Sequence, residues 1–198
     1  MLLQDKLKDK RLILASNSPR RRQLLTDAGI EFTVAEKYEC DERVPSDTPT
    51  AETAEYIASL KSYAYPKPLA DNEILLTADT VVIVGDEVLG KPSDRADALR
   101  MLRKLSGCTH TVATGVMFRT NTSSRLFKTE TAVTFRPLSD EELEFYVDNF
   151  RPYDKAGAYG IQEWIGYAAV ERIEGSFYNV MGLPVQRVYV ELEDFLSK

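Results

Sequence analysis

The chain has 198 residues, enough for a domain with a sizeable hydrophobic core. Hydrophobic residues make up 43% and charged residues 28% of the sequence, a composition typical of globular proteins. The formal net charge of -6 argues against a general nucleic-acid binder, which usually carries a basic surface. A local basic cluster can still bind a small anion inside an acidic protein.

The start of the chain lacks the features of a secretory signal. Residues 1–10 are polar and rich in Lys and Asp, and no run approaches the ~20 apolar residues of a membrane span. Cys40 and Cys108 are far apart and have no metal-binding spacing. We therefore expect a cytoplasmic protein with two reduced thiols and no membrane partner.

The first predicted elements are a strand, a basic loop, a helix and a second strand. Residues 11–15 form a short apolar run typical of a buried strand, and residues 16–22 are polar and basic. The helix that follows is predicted to end at Gly29, and residues 31–34 alternate like a strand. This order of elements is typical of α/β proteins.

The middle of the chain is predicted to contain a loop, two helices and a hairpin. Residues 40–49 are charged and interrupted by prolines, whereas residues 50–64 have helical spacing. Residues 74–84 predict a strand that returns in a short hairpin. Ser93 is the expected cap of the next helix, which should end at Gly107. The inward face of this helix is predicted to comprise Ala96, Leu99, Leu102 and Leu105.

The last third begins with two long predicted strands, residues 109–119 and 127–135, joined by a polar turn. An amphipathic helix over residues 138–150 follows, opened by the sequence S-D-E-E. Residues 153–166 are rich in Gly and aromatic residues and predict a functional loop. A helix over residues 180–196 is expected to complete the fold.

The segment A-S-N-S-P-R-R at residues 15–21 is the strongest local indication of chemistry. It follows a strand and opens a helix, where free backbone N–H groups and the helix dipole favour an anion. Ser16 and Ser18 add hydroxyl donors, and Arg20 and Arg21 add guanidinium groups that suit phosphate oxygens. Phosphate binding is the preferred interpretation, and a capped, basic surface helix is the alternative.

Residues 85–93, G-D-E-V-L-G-K-P-S, nearly match the phosphate-binding P-loop. Pro92 occupies the position of the magnesium-binding hydroxyl and removes a backbone donor, so we reject a P-loop. Lys91 remains a candidate cation for a phosphate.

Asp79 interrupts an apolar strand, where a carboxylate is costly unless it is paired, bound to a metal or placed at an open end. It is a candidate metal ligand or base for a water, and a backbone-bonded Asp is the alternative. Glu42 in its loop and Lys61 on its helix look like ordinary solvated charges from their local sequence alone.

The sequence gives little support for other catalytic mechanisms. The single histidine, His110, has no partner pattern and is expected to have a structural or surface role. The nucleophile motif G-x-S-x-G is absent, and His and Cys are too few for a usual zinc site. Phosphate binding combined with carboxylates favours metal-assisted attack by water on a phosphoryl group.

Short motifs along the chain occur in the order found in one known family. They are L-A-S-N-S-P-R-R, C-D-E, a helical Lys61, A-D-T-V-V, G-K-P, M-L-R-K-L-S-G-C-T-H, T-G-V, D-K-A-G-A-Y-G-I-Q and V-M-G-L-P. With these motifs the chain resembles the Maf-like nucleoside triphosphate pyrophosphatases from about Arg11 to Phe195. The resemblance implies hydrolysis between the α- and β-phosphates of a nucleoside triphosphate, releasing a nucleoside monophosphate and pyrophosphate.

The resemblance also implies a fold and partners. It implies a mixed, twisted α/β sheet flanked by helices, elongated with a central cleft and similar to inosine triphosphatases. We expect one domain over residues 1–198, with two lobes around the cleft and an N-terminal extension over residues 1–10. We also expect a homodimer and a divalent metal, Mg²⁺ or Mn²⁺.

Roles for individual residues follow from the resemblance by position. Ser16, Arg20 and Arg21 would hold phosphates, and Lys61 and Lys91 would help neutralise their charge. Glu42, Asp79 and Gln162 would position metal and water, with Asp79 as the base.

The D-K-A-G-A-Y-G-I-Q motif is similar to that of the branch acting on dTTP and UTP. Two departures from the family pattern occur: Lys61 is followed by Ser where Ala is common, and Gln162 is followed by Glu163 where Gly is common. Two other functions stay open at this stage. One is a nucleotide-binding regulator of septum formation without turnover, and the other is a phosphatase of other phosphoesters.

Overall fold

The computed structural model describes residues 2–197; Met1 and Lys198, the ends of the domain predicted over residues 1–198, lie outside the described residues. The strands are β1 (Arg11–Leu14), β2 (Thr33–Val34), β3 (Glu73–Val84), β4 (Glu87–Leu89), β5 (Thr109–Arg119), β6 (Ser124–Phe135) and β7 (Val170–Glu174). Their order in the sheet is β2-β1-β3-β5-β6-β7, with β4 paired to β3. Parallel and antiparallel pairs both occur, which confirms the predicted mixed sheet.

Helices account for most of the remaining regular structure. They are α1 (Leu3–Lys6), α2 (Pro19–Asp27), α3 (Thr53–Tyr63), α4 (Arg95–Leu105), α5 (Asp140–Phe150), α6 (Trp164–Ala169), α7 (Phe177–Met181) and α8 (Val185–Phe195), with 3-10 turns at Thr50–Glu52 and Ala156–Ala158. The sequence predicted α2, α3, α4 and α5, and the hairpin of β3 and β4, close to their observed bounds. The α/β class is therefore confirmed.

Several local predictions were wrong. The cap of α4 is Asp94 and not Ser93, because the Asp94 side chain accepts the hydrogen bond from the backbone N–H of Asp97. Ala96 is exposed, and Ala98 and Met101 take part in the buried face with Leu99, Leu102 and Leu105. The predicted loop over residues 153–166 ends in α6, strand β7 was not anticipated, and the closing helix begins only at Val185.

The chain forms two compact units. The first unit comprises Met1–Asp79, Thr114–Thr129 and Gly182–Lys198, and the second comprises Thr80–Ala113 and Glu130–Met181. In the first unit, β1 pairs in parallel with β3, so that Leu12 lies opposite Ile74 and Leu14 opposite Leu76. Because β1 ends at Leu14 and β3 continues, the loop after β1 emerges beside the part of β3 that leads to Asp79.

The N-terminal extension is part of the first unit. Leu3 in α1 is fully buried, and its backbone N–H donates to the hydroxyl of Tyr189 in α8 at 3.3 Å. Lys6 forms an ion pair of 3.1 Å with Glu193 of the same helix. The extension therefore packs on α8.

The second unit has its own hydrophobic core. Apolar residues of α4 and α5 pack there with side chains from β5, β6 and residues 156–169. The largest contributors include Phe135 and Tyr146, which are 1% and 0% exposed. This core supports the segment that contains Gln162.

Candidate active site

The loop predicted to bind phosphate lies between β1 and α2. Ser18 caps the helix: its Oγ accepts the backbone N–H of Arg21 at 3.4 Å, and Pro19 begins the helix where no N–H is required. The Oγ of Ser16 accepts the backbone N–H of Ser18 at 3.2 Å. The loop therefore folds over a helix N-terminus, a position that favours an anion. The phosphate contacts of Ser16 and Arg20 remain predictions.

Arg21 is buried, with 9% of its surface exposed, and its guanidinium is engaged by protein groups. Its Nε donates to the carbonyl of Gly182 at 2.7 Å, and its Nη1 donates to the carbonyl of Ala78 at 2.8 Å and to Ser16 Oγ at 3.3 Å. Burial lowers the pKa of Arg21, and the nearby carboxylate of Asp79 opposes this shift. Arg21 thus ties the loop after β1 to Ala78, the residue before Asp79, and its role as a phosphate ligand stays a prediction.

Three predicted site residues meet in one ionic cluster. Lys61 Nζ lies 2.6 Å from Asp79 Oδ1 and 3.1 Å from Glu42 Oε2. The side chains of Lys61 and Asp79 are 19% and 16% exposed, whereas that of Glu42 is 51% exposed. Helix α3, strand β3 and the loop that carries Glu42 each supply one charged side chain. The free-energy cost of placing the Asp79 carboxylate in an apolar strand is therefore offset by its direct contact with a cation. Lys61 is therefore not the solvated charge that its local sequence indicates, whereas Glu42 is exposed but paired with Lys61.

The position of α3 follows from close backbone contacts. The buried hydroxyl of Thr77 in β3 donates to the carbonyl of Ala58 at 2.8 Å. A Cβ added at Gly115 in β5 would lie 2.4 Å from the carbonyl oxygen of Ala54, so only glycine permits this approach. These contacts fix the position of α3 against β3 and β5, and with it the position of Lys61.

The C-terminal end of α3 is held by side chains. The hydroxyl of Tyr38 donates to the carbonyl of Lys61 at 2.7 Å, and Arg119 donates from Nη2 to the carbonyl of Ser62 at 2.7 Å. The last carbonyls of a helix lack intrahelical partners, and these two donors supply partners for them. Burial raises the pKa of Tyr38 to about 12, so its hydroxyl remains a donor at neutral pH. The turn carrying Lys61 is therefore fixed on two sides.

The remaining predicted residues, Lys91 and Gln162, belong to the second unit. Lys91 is exposed and follows Gly90, whose carbonyl accepts the backbone N–H of Gly157 at 3.0 Å. Gln162 is half-buried, and its amide oxygen is buried without a hydrogen-bond donor among residues 2–197. A buried amide oxygen that lacks a donor is costly and is a natural acceptor for a ligand.

Sequence reasoning missed a buried ionic group in the second unit. Lys155 is only 8% exposed, and its Nζ lies 3.0 Å from Glu163 Oε1. The hydroxyl of Tyr146 also donates to Glu163. A signal was present, because Lys155 stands among small and aromatic residues, and a buried lysine needs a carboxylate partner.

His110 is buried in the second unit and does not lie at the surface. It is 2% exposed, and its Nε2 lies 2.8 Å from the hydroxyl of Tyr159. Burial lowers the pKa of His110 to about 4, so the ring is neutral at neutral pH. Cys40 and Cys108 are both free thiols, the first partly buried and the second exposed.

The described residues hold no group of three or more His, Cys, Asp or Glu side chains arranged to bind a metal ion. Glu42 and Asp79 supply two carboxylates that approach one ammonium, and this donor set suits Mg²⁺, which often takes one or two protein carboxylates together with substrate phosphates.

Within residues 2–197, the helices all fall short of the length and apolar character needed to cross a bilayer.

Two solved structures align with this chain over most of its length. A HAM1 protein from Coxiella burnetii superposes with a TM-score of 0.47 at 11% identity, covering 93% of this chain and 99% of that one. A nucleoside-triphosphatase, dITP/XTP pyrophosphatase, from Mycobacterium abscessus gives a TM-score of 0.40 at 14% identity, covering 95% and 100%.

Several proteins are much more similar to this chain in sequence than these two structures are. A dTTP/UTP pyrophosphatase of Parabacteroides distasonis is 51% identical over 96% of this chain and 99% of that protein. A dTTP/UTP pyrophosphatase of Porphyromonas gingivalis is 50% identical over 96% and 97%, and one of Flavobacterium johnsoniae is 46% identical over 95% and 96%. The family profile described as Maf-like protein matches residues 11–195. With this match and these motifs in place, the chain belongs to the Maf-like protein family.

Proposed function

We propose that this chain hydrolyses dTTP and UTP between the α- and β-phosphates, producing the nucleoside monophosphate and pyrophosphate. The relatives named dTTP/UTP pyrophosphatase support this activity, since they match the chain over nearly its full length at about half identity. The single structural observation that carries the proposal is the cluster of Glu42, Lys61 and Asp79 in the first unit.

Asp79 is the proposed base. One of its carboxylate oxygens, Oδ1, is held by the 2.6 Å contact with Lys61 Nζ, and the other oxygen is proposed to accept a proton from water. An oriented base lowers the barrier more than a mobile one, because the proton acceptor is already in place when the water attacks. The attacking oxygen forms a bond to phosphorus, the bridging P–O bond breaks, and pyrophosphate leaves.

Glu42 and Asp79 would hold the divalent metal. When bound, the metal would polarise phosphoryl oxygens and neutralise the charge of the leaving pyrophosphate. Lys61 already contacts both carboxylates, so its single positive charge offsets part of their negative charge. The two carboxylates are acceptors only, and they suit a cation and not an anion.

Ser16 and Arg20 are proposed to hold phosphate oxygens at the N-terminus of α2, where the backbone and the helix dipole favour negative charge. Lys91 and Gln162 retain the roles expected from the family, as a phosphate cation and as a group that positions water. We also propose a cytoplasmic homodimer; light scattering of the purified chain measures its mass and tests the dimer.

Pyrophosphate release from a panel of nucleoside triphosphates, with Mg²⁺ or Mn²⁺, tests the activity. We expect release from dTTP and UTP, and a loss of roughly 10²- to 10⁴-fold in Asp79→Asn, because the amide cannot accept the proton. Asp71→Asn is the matched control: Asp71 is exposed and precedes β3, and its replacement should leave turnover unchanged.

Two results contradict the proposal and point to its alternatives. Nucleotide binding without any pyrophosphate release would favour a regulator that does not turn over its ligand. Release of inorganic phosphate in place of pyrophosphate would favour a phosphatase of other phosphoesters.

A further inference from the structure

Gln162 lies within a tight turn of the second unit. The backbone N–H of Glu163 donates to the carbonyl of Gly160 at 2.9 Å, which closes a turn of four residues with Gln162 in its third position. The backbone dihedral angles of the two central residues define such a turn, and they set the direction in which the central side chains leave the backbone. The direction of the Gln162 amide therefore depends on what holds Gly160 and Glu163.

One hydroxyl group binds both ends of this turn. Tyr146 in α5 is fully buried, and its hydroxyl oxygen accepts the backbone N–H of Gly160 at 3.0 Å. The same hydroxyl donates its proton to Glu163 Oε2. Burial and the bond to Glu163 raise the pKa of Tyr146, so the hydroxyl keeps the proton that this bridge requires.

The other oxygen of Glu163 is also engaged. Lys155 Nζ lies 3.0 Å from Glu163 Oε1 and 2.7 Å from Asp154 Oδ1. Lys155 is 8% exposed and the Glu163 side chain is 20% exposed, so the pair is shielded from water. Glu163 is thus fixed through both oxygens, one bonded to a phenol and the other to an ammonium.

Steric contacts leave the turn little freedom. A Cβ added at Gly160 would lie 2.9 Å from Lys155 Cε and 3.0 Å from Glu163 Cδ. A Cβ at Gly166 would lie 1.7 Å from the carbonyl oxygen of Ile161. The backbone around Gln162 is therefore packed tightly from both sides.

We propose that Tyr146 is a positioning residue that sets the direction of the Gln162 amide through the two ends of this turn. The inference rests on the proposed function, since it assigns the turn a part in nucleotide hydrolysis. Tyr146 contacts the ends of the turn, so it acts through Gln162.

A double-mutant cycle with Tyr146→Phe and Gln162→Ala tests the proposal. Phenylalanine removes the hydroxyl and keeps the ring that stacks on Phe150 at 5.2 Å. We expect Tyr146→Phe to lower kcat/KM for dTTP about 10-fold in the parent, and to have almost no further effect in the Gln162→Ala background. Equal fold losses in both backgrounds, or no loss in either, would overturn the assignment.

Tyr159→Phe is the matched control, since Tyr159 is a buried tyrosine of the same unit whose hydroxyl contacts His110. It should show additive effects with Gln162→Ala, and the same coupling there would remove the specific role of Tyr146. If Tyr146→Phe does not fold, Glu163→Gln takes its place in the same cycle. This variant keeps an acceptor for the Tyr146 hydroxyl but loses the charge that faces Lys155. We expect it to couple to Gln162→Ala, and additive effects of the two substitutions would contradict the proposal.

Pyrophosphate release by the parent protein distinguishes failure of the proposed function from failure of this inference. If the parent releases no pyrophosphate, the proposed hydrolysis is wrong, and the cycle is measured on dTTP affinity by calorimetry. Coupling of the two substitutions in affinity would still support the positioning role, and additivity would reject it.

Discussion

Arg21 and Arg20 are neighbours in sequence, yet the structure predicts different consequences for replacing them with lysine. Arg21 is buried and donates to the carbonyls of Gly182 and Ala78, at 2.7 and 2.8 Å. Arg20 is only partly buried and lies on the first turn of α2. The substitution keeps the positive charge in both cases, so the comparison isolates the geometry of the guanidinium group.

The magnitude follows from the lost hydrogen bonds. A lysine ammonium lacks the planar fork of arginine, so at position 21 it can replace one of the two carbonyl contacts. A buried hydrogen bond from a charged donor contributes about 1.5–3 kcal/mol, and we expect Arg21→Lys to lower the free energy of unfolding by this amount. Arg20 is partly exposed and its replacement by lysine keeps the charge, so Arg20→Lys should change stability by no more than about 1 kcal/mol.

Urea unfolding of the parent and the two variants, followed by circular dichroism, measures the difference. Pyrophosphate release is measured on the folded proteins, and we expect Arg21→Lys to lose roughly 10- to 100-fold in kcat, because Ala78 precedes the proposed base Asp79 and small displacements at a reacting centre are costly. Equal destabilisation by the two variants, or an unchanged Arg21→Lys protein, would refute the reasoning.

Two further predictions concern stability. Because burial lowers the pKa of His110 to about 4, from an ordinary value of 6.5, the unfolded chain binds more protons between these values and stability falls as the pH falls. Between about pH 7.5 and about pH 5, the parent should lose about 2 kcal/mol more than His110→Gln in urea unfolding, and equal losses would contradict the neutral buried ring. Gly115→Ala should destabilise the protein by about 1–3 kcal/mol and lower pyrophosphate release, because the added methyl group displaces α3 and with it Lys61. Gly90→Ala, where an added Cβ meets nothing within 4 Å, is the control for stability, and similar unfolding curves for both variants would show that the close contact at Gly115 is unimportant.

The elements that the sequence predicted well are those with signals inside a few neighbouring residues. Residues 12–15 are apolar, and β1 forms over Arg11–Leu14. The S-D-E-E sequence predicts the capping box that Ser139 and Glu142 make at the start of α5. The misplaced cap of α4 shows the limit of such signals. Ser93 and Asp94 are adjacent and both are good caps, so the backbone path after β4 decides between them.

The sequence by itself determined the α/β class, the phosphate-binding loop as a candidate, the membership in a family, and Asp79 as an unusual carboxylate in an apolar strand. These conclusions depend on local patterns and on motifs that can be read along the chain. Sequence reasoning from the local residues alone assigned Glu42 and Lys61 to solvent, and only the resemblance to a family singled them out.

Only the tertiary structure decided which groups contact one another. Lys61 meets Asp79 18 residues further along the chain, and Arg21 meets Gly182 161 residues away. The hydroxyl of Tyr146 joins the two ends of the turn that carries Gln162. Such contacts depend on how helices and strands pack, because burial removes water as a partner and each buried charge must then find another group that packing has placed within reach.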